Sequence, residues 1–240
     1  MYSFCLSHLH VVLVHPAIAG NIGAIARVLK NFDVNSLILV NPTSYLCREA
    51  LNRATRAKDV LYKAYIYSSL KEAIAPFSYV VGTTARKRYK KISLSPREIA
   101  PFLTAISQEN EIAIVFGPER TGLRNMDLEL CQAIMTIPTS KYSSLNLAMA
   151  VGIVLYELFG YAQKGSVSYK LSRLATSKQI EAMYAHLMTS LSKIGFVLGG
   201  EMGHTYRVLK RLFNKIPLTE NDVKVIRGIC HQIDWYVENH

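Results

Sequence analysis

The chain has 240 residues, which is the size of one large domain or of one domain with a small appendage. Half of the residues are hydrophobic, and this share excludes a disordered chain because it is enough for a packed core. Lysine and arginine exceed aspartate and glutamate by 28 − 17 = 11. A surplus of this size indicates a polyanionic partner, most often nucleic acid.

The patterns of membrane, secreted and metal-binding proteins are missing from the sequence. Its first residues lack the basic segment of a secretory signal, and the longest apolar stretch, Leu145–Phe159, is too short to span a bilayer. The four cysteines form no CxxC pair. Apart from His8 and His10, a pair that we interpret as incidental, the histidines lack metal-ligand spacing. We therefore expect a cytoplasmic protein with reduced cysteines, no membrane segment and no metal.

Short apolar runs alternate with helical patterns over the first two thirds of the chain. Five runs are followed within two residues by Gly, Pro or Asn and are predicted strands: Val11–Val14, Leu37–Val40, Tyr79–Val81, Ile112–Phe116 and Ile134–Ile137. Helices are predicted at Ile22–Phe32, Ala50–Tyr62, Ser69–Ala75, Pro96–Ser107, Asp127–Gln132 and Ser144–Tyr161. This alternation predicts an α/β fold in which a parallel sheet carries helices on both faces.

A polar segment, Gln163–Ser172, contains one glycine and three serines and is typical of a linker. We place an α/β domain at residues 1–163, a linker at 164–172 and a small helical module at 173–240. Three helices are predicted in that module, at Ser177–Ile194, Glu201–Ile216 and Thr219–Glu238. No strand pattern occurs there.

Three loops that follow predicted strands are rich in Gly, Thr, Ser and Asn: Gly82–Arg86, Gly117–Gly122 and Ile137–Asn146. Each loop alone could be an ordinary turn. Because the carboxyl ends of parallel strands meet at one edge of a sheet, three such loops together predict a ligand pocket. The sequence lacks a GxGxxG fingerprint after its first strand and lacks a GxxxxGK[ST] loop, so hydride and phosphoryl transfer are disfavoured.

The first loop and helix carry a further candidate, Arg27. Asn21 is placed to cap a helix that begins at Ile22. Arg27 follows Gly23 by four residues, so both lie on one helical face, and the arginine is expected to lean over the glycine towards the loops. A surface salt bridge is the alternative interpretation of Arg27.

Three ordered motifs resemble those of the SpoU (TrmH-like) branch of the SPOUT RNA methyltransferases. They are Asn21-x-Gly23-x-x-x-Arg27, then Phe116-Gly117-x-Glu119-x-x-Gly122-Leu123, then Ile137-Pro138 followed by Tyr142-Ser143-Ser144-Leu145-Asn146-Leu147-Ala148. The resemblance implies a deep trefoil knot near the third motif, a homodimer and S-adenosylmethionine as cofactor. It also implies methyl transfer to a ribose 2′-hydroxyl of tRNA, at cytidine or uridine 32, the first nucleotide of the anticodon loop.

The resemblance also implies the residues of the site. The expected cofactor-binding residues are Thr83, Thr84, Ala85, Gly117, Ile137, Ser144, Leu145 and Asn146. The expected catalytic residues are Arg27, Asn21, Glu119, Ser143, Ser144 and Asn146. A guanidinium stays protonated at any ordinary pH, so we expect Arg27 to hold RNA phosphate and stabilise negative charge instead of accepting a proton.

A basic stretch directly follows the loop at Thr83–Ala85. Five cations surround one aromatic side chain there, and the residues expected to bind RNA together with Arg27 are Arg86, Lys87, Arg88, Tyr89 and Lys90. A solvated surface loop is the alternative interpretation of this stretch. For the whole chain two other functions remain open, methylation of another tRNA position or of ribosomal RNA, and RNA binding without catalysis on the same fold.

Overall fold

The computed structural model describes residues 1–34, 36–86, 93–197, 202–213 and 216–239 of the chain. The chain forms two compact units, an N-terminal unit of Met1–Leu171 and a C-terminal unit of Ser172–His240. Each unit has a hydrophobic core of its own.

The described part of the N-terminal unit contains a seven-stranded sheet. Its strands are β1 Leu9–Val14, β2 Ser36–Val40, β3 Tyr65–Tyr67, β4 Tyr79–Thr83, β5 Ser93–Leu94, β6 Ile112–Phe116 and β7 Ala133–Met135. They lie in the order β3-β2-β1-β6-β4-β7-β5, and every pairing is parallel. The predicted α/β fold with a parallel sheet is confirmed, whereas the knot stays a prediction from the resemblance.

Helices cover both faces of this sheet. They are α1 Ala19–Asn31, α2 Arg48–Ala54, α3 Lys58–Tyr62, α4 Leu70–Ile74, α5 Pro96–Ile106, α6 Asn125–Glu129 and α7 Leu147–Lys164. On one face, α4 and α6 pack on alternate strand residues such as Val12, Val40 and Val115, because successive side chains of a strand point to opposite faces. On the other face α1 packs against α2, α3 and α7, and α5 packs against α7.

Two strands and one helix break were not predicted. Strands β3 and β5 are short and largely exposed, so neither has the continuous apolar run of a buried strand. The predicted helix Ala50–Tyr62 is wrong in its middle, where Thr55 adopts φ 50° and a 3₁₀ turn separates α2 from α3. Buried Ala50, Ala54, Ala57 and Leu61 keep helical spacing across this break, which is why the sequence pattern predicts one helix.

The C-terminal unit consists of α8 Ser177–Lys193, α9 Met202–Phe213 and α10 Glu220–Asn239 in its described residues. Its core is built around Tyr184, which is fully buried and contacts the rings of Tyr206 and Phe213. Burial raises the pKa of the Tyr184 hydroxyl. Helices α8 and α10 are also joined by polar contacts, since Asp234 accepts a hydrogen bond from His186 at 2.9 Å.

Candidate active site

A cleft of about 230 Å³ lies at the carboxyl ends of β4, β6 and β7. These strands are neighbours in the sheet, in the order β6-β4-β7, so the loops that follow them meet at one edge. The cleft is lined by Thr83, Thr84, Ala85, Arg86, Phe116, Gly117, Pro118, Glu119, Arg120, Thr121, Gly122, Met135, Ile137, Ser143, Ser144, Leu145, Leu147 and Ala150. The structure thus brings together every expected cofactor-binding residue except Asn146.

Gly117 forms a part of this cleft that no larger residue can occupy. A Cβ atom added there would lie 2.2 Å from the backbone nitrogen of Leu123 and 2.3 Å from the carbonyl carbon of Gly122. The loop can fold back this closely because Gly122 adopts φ +64° and its N–H donates to the carbonyl of Pro118 at 2.9 Å. Both glycines are therefore required by the shape of the loop.

The loop after β4 uses its threonine hydroxyls to hold itself in place. The Oγ1 hydroxyl of Thr83 donates to the carbonyl of Val115 on β6 at 2.9 Å. The Oγ1 oxygen of Thr84 accepts from the N–H of Arg86, and the Thr84 N–H donates to the carbonyl of Met135 at 3.0 Å. The guanidinium of Arg86 donates to the Asn125 side chain at 2.7 Å. The wall of the cleft is therefore tied to all three strands.

Glu119 connects the loop after β6 to the start of α1. Its carboxylate accepts hydrogen bonds from the N–H groups of Ala17 and Ile18 and from the Nδ2 of Asn21. Burial raises the pKa of Glu119, but these hydrogen bonds outweigh burial, and the pKa lies below its ordinary value. Glu119 is therefore a charged acceptor placed at a helix N-terminus, where a negative charge is favourable.

The prediction that Asn21 caps the first helix is wrong. Helix α1 begins at Ala19, and its N-cap residue Ile18 has no capping side chain. The carboxylate of Glu119, far away in the sequence, supplies acceptors at this helix end instead. Asn21 lies within the first turn, and its side chain contacts Glu119 and Asn146.

The prediction that the last helix of this unit begins at Ser144 is also wrong. Helix α7 begins at Leu147 because the Oδ1 of Asn146 accepts from the N–H groups of Ala148 and Met149 and caps the helix. The Nδ2 of Asn146 donates to the Oδ1 of Asn21 at 3.0 Å. The cap leaves the three residues before Asn146 outside the helix, where they line the cleft.

Arg27 lies on α1 and does not line the cleft. Its side chain is exposed, and no hydrogen bond or ion pair joins it to another residue in the part of the chain that the structure describes. Gly23 faces α2, since a Cβ there would lie 2.1 Å from the carbonyl oxygen of Ala50. The bare position of Gly23 therefore admits the backbone of α2, whereas the expected direction of Arg27, over the glycine towards the loops, stays a prediction.

Four of the residues expected to bind RNA, Lys87, Arg88, Tyr89 and Lys90, lie outside the described residues. Sequence reasoning missed Leu147 and Ala150, which line the cleft from the first turn of α7. Their i, i+3 spacing could have predicted a shared face.

Within the described ranges, no three His, Cys, Asp or Glu side chains are grouped so that they could hold a metal ion. No helix in those ranges is long and apolar enough to cross a membrane.

The fold and the cleft agree with the protein families that the sequence matches. Residues 8–156 match the SpoU rRNA Methylase family, and residues 178–240 match the C-terminal domain of the tRNA methyltransferase TrmJ. The chain therefore belongs to the SpoU methylase family. The resemblance predicted from the three motifs is confirmed, and so is the prediction that the chain is a methyltransferase.

Several TrmJ proteins are similar to this chain over nearly their whole length. The tRNA (cytidine/uridine/adenosine-2′-O-)-methyltransferase TrmJ of Pseudomonas aeruginosa is 36% identical over 238 residues, which cover 93% of each chain. The tRNA (cytidine/uridine-2′-O-)-methyltransferase TrmJ of Escherichia coli K12 is 34% identical over 236 residues, covering 95% of this chain and 96% of that one. The crystal structure of TrmJ from Z. mobilis ZM4 superimposes with a TM-score of 0.80 at 32% identity, covering 94% and 98%.

Proposed function

We propose that this chain transfers a methyl group from S-adenosylmethionine to a ribose 2′-hydroxyl of tRNA, at cytidine or uridine 32 in the anticodon loop. The observation that carries the proposal is the hydrogen-bonded chain from Glu119 through Asn21 to Asn146, which joins the three motif-bearing segments beside one cleft. Similarity to tRNA 2′-O-methyltransferases over nearly the full chain supports the reaction and the substrate.

The cleft fits a cofactor that is held mainly by backbone groups. The position of Gly117 has no room for a Cβ, so a ligand there would meet bare backbone. Residues Thr83–Ala85, Ile137, Ser144 and Leu145 would hold it together with Gly117. When bound, S-adenosylmethionine supplies an activated methyl group, so the protein mainly has to align the reacting groups. The charged residues Arg86, Glu119 and Arg120 also line the cleft and would contribute to binding at its edge.

The polar residues divide into two roles. Glu119 stays charged and accepts three hydrogen bonds from α1 and the chain before it, so it positions that helix against the loop after β6. Ser143 and Ser144 position the substrate within the cleft. Arg27, an exposed guanidinium on α1, binds the phosphate next to the target ribose and stabilises negative charge that develops on the 2′-oxygen.

The outer face of α7 supports a homodimer. Met149 and Tyr156 are 57% and 65% exposed on this helix, and Phe32 packs beside Tyr156 and Phe159. A second copy of the chain would cover these apolar side chains through a self-complementary interface, as closed symmetry requires. The partners of the chain are then tRNA and a second copy of itself, and its location is the cytoplasm.

The test is methylation of RNA by the purified protein. The protein is incubated with S-adenosylmethionine and total RNA, and ribose methylation is mapped at single-nucleotide resolution. We expect new methylation at nucleotide 32. Methylation at another tRNA position, or of ribosomal RNA alone, would contradict the assigned substrate, and tRNA binding without any methyl transfer would contradict the reaction.

A further inference from the structure

We propose that a basic seam between α1 and α2 binds tRNA phosphates beside the target nucleotide. The seam consists of Arg27, Lys30, Arg53 and Arg56. The last three belong to none of the motifs that carry the resemblance. The RNA partner rests on the proposed function, and the inference adds the surface that holds the RNA outside the cleft.

The packing of α2 on α1 creates the seam. A Cβ at Gly23 would lie 2.9 Å from the Cβ of Arg53, so Arg53 sits directly beside Gly23. Arg27 lies one helical turn further along α1, on the same face. In the following turn the Nζ of Lys30 donates to the backbone carbonyl of Arg56 at 3.1 Å. Four cationic residues, two on α1 and two on α2 and the turn that follows it, thus lie along two turns of α1.

Carboxylates neutralise little of this charge. Asp59 pairs with Lys30 at 2.7 Å, and the hydrogen bond from Lys30 lowers the pKa of Asp59 below its ordinary value. Glu49 lies beside Gly20, about one turn closer to the start of α1. Arg53 and Arg56 are exposed, and among the described residues no acidic side chain pairs with either. Residues 48–63 contain five cations and two carboxylates, a net charge of 5 − 2 = +3.

The chemistry of the seam favours a phosphate backbone as its ligand. Guanidinium groups bind phosphate oxygens through paired, charge-assisted hydrogen bonds, and phosphates recur at short intervals along an RNA strand. Protein interfaces need large apolar or aromatic anchors. The described residues of α2 and of the turn Thr55–Ala57 expose no large hydrophobic side chain. A row of arginines without an apolar anchor therefore fits RNA better than an acidic protein.

Paired double variants test the proposal. In Arg53→Ala/Arg56→Ala the Cβ of Arg53 and the carbonyl of Arg56 remain, so the contacts of α2 with α1 are retained. The control, Lys71→Ala/Lys164→Ala, removes the same charge from exposed side chains outside the seam. Lys71 lies on α4, which packs on the opposite face of the sheet from α1 and α2, and Lys164 ends the 18-residue helix α7, about 27 Å from the cleft.

Binding of tRNA is titrated from 50 to 400 mM salt for both variants and the wild type. At 150 mM salt we expect about tenfold weaker binding by the seam variant, with a log–log salt slope shallower by about 1.4 to 1.8, because two phosphate contacts are lost. Arg53→Lys/Arg56→Lys should keep the wild-type slope. Affinity for S-adenosylmethionine and the melting temperature should stay unchanged in all variants.

Equal salt slopes for the seam variant and the wild type would overturn the proposal. A loss of tRNA affinity in the control variant as large as in the seam variant would also overturn it. Failure of the proposed function gives a different result. A wild-type protein that transfers no methyl group to tRNA, while its tRNA binding still depends on Arg53 and Arg56, would contradict the reaction and support the seam. A wild-type protein that methylates tRNA, with an unchanged slope in the seam variant, would overturn the seam alone.

Discussion

Asn21 and Glu119 are 98 positions apart in the sequence, and the Nδ2 of Asn21 donates to the Oε1 of Glu119 across 2.9 Å. The direction of this bond is determined by its neighbours. The Oδ1 of Asn146 caps α7, so its Nδ2 is directed to the Oδ1 of Asn21. The Nδ2 of Asn21 then has to face an acceptor, and the charged carboxylate of Glu119 is that acceptor.

Asn21→Asp tests this chain of hydrogen bonds. The substitution replaces the donor by a second carboxylate next to Glu119, so the two charges repel each other. We expect methyl transfer to tRNA to fall about 10- to 100-fold, which corresponds to the loss of one hydrogen bond to a charged group. Initial rates are compared with those of Asn221→Asp, an exposed change on α10. Equal rates for both variants would mean that the bond is not needed for activity.

Arg27→Ala separates chemistry from cofactor binding. Because Arg27 does not line the cleft, the Kd for S-adenosylmethionine, measured by calorimetry, should stay within about twofold of the wild type. The rate of methyl transfer should fall by about 10² or more, since charge stabilisation is lost. Arg27→Lys should be intermediate, because an ammonium keeps the charge without the guanidinium fork. Near-normal turnover by Arg27→Ala would contradict the role that we propose for Arg27.

Gly117→Ala tests the backbone of the cleft. The added methyl group would lie 2.2 Å from the nitrogen of Leu123, so the loop has to move. We expect loss of S-adenosylmethionine binding in calorimetry and a lower melting temperature. The control is Gly228→Ala on α10, where a Cβ meets no atom within 4 Å and where alanine should stabilise the helix by about 0.5–1 kcal/mol. Wild-type cofactor affinity in Gly117→Ala would contradict the position of the cofactor.

Removal of the C-terminal unit tests which functions each of the two units carries. A chain that ends at Leu171 keeps the paired hydrogen bonds between Tyr2 and Val167 and the one from Leu171 to Ala105. It should fold, dimerise and bind S-adenosylmethionine, but lose most of its affinity for tRNA, because recognition of a folded RNA needs contacts spread over its surface. A chain that ends at Lys164 lacks these hydrogen bonds and should melt at a lower temperature.

Gel-shift titration at one salt concentration compares the full chain with the chain that ends at Leu171. Equal affinity for tRNA would contradict a role of the C-terminal unit in RNA binding. Loss of the dimer in sedimentation of the shorter chain would assign the C-terminal unit to assembly.

Acid should destabilise the C-terminal unit through protonation of Asp234. Hydrogen bonds from His186 first, and then from Ser190 and Lys193, lower the pKa of Asp234 from 3.8 to about 2. Because the pKa in the folded state is depressed, these contacts stabilise the unit above about pH 4, and the stabilisation is lost as the pH falls from about 4 to about 2. Asp234→Asn should lower the melting temperature at pH 6 and flatten its pH dependence below pH 4.

Glu238→Gln is the control for Asp234→Asn. Glu238 pairs with Lys193 at 3.3 Å, but its side chain is 68% exposed, and exposed ion pairs contribute little to stability. Thermal melts followed by far-UV circular dichroism should show little change for Glu238→Gln. A pH profile of Asp234→Asn that matches the wild type would contradict the contribution of Asp234.

The sequence by itself determined the alternation of strands and helices and the edge at which the site lies. Runs such as Val11–Val14 and Ile112–Phe116 are local signals, because a buried strand needs consecutive apolar residues wherever it pairs. The loops Gly82–Arg86 and Gly117–Gly122 were predicted to meet because parallel strands end at one edge. The expected cofactor-binding residues came from the resemblance of the three motifs to a known family, and all of them but Asn146 line the cleft.

Only the tertiary structure decided which distant groups meet. The caps at the starts of α1 and α7 could not be placed correctly, because Glu119 reaches α1 from another loop and Asn146 bonds to Asn21 across the site. The close approach of Ala50 to Gly23, which sets Arg53 beside the turn before Arg27, is equally absent from any local pattern. A one-dimensional pattern records which side chains are buried or polar, whereas hydrogen-bond partners and helix contacts depend on how the chain packs in space.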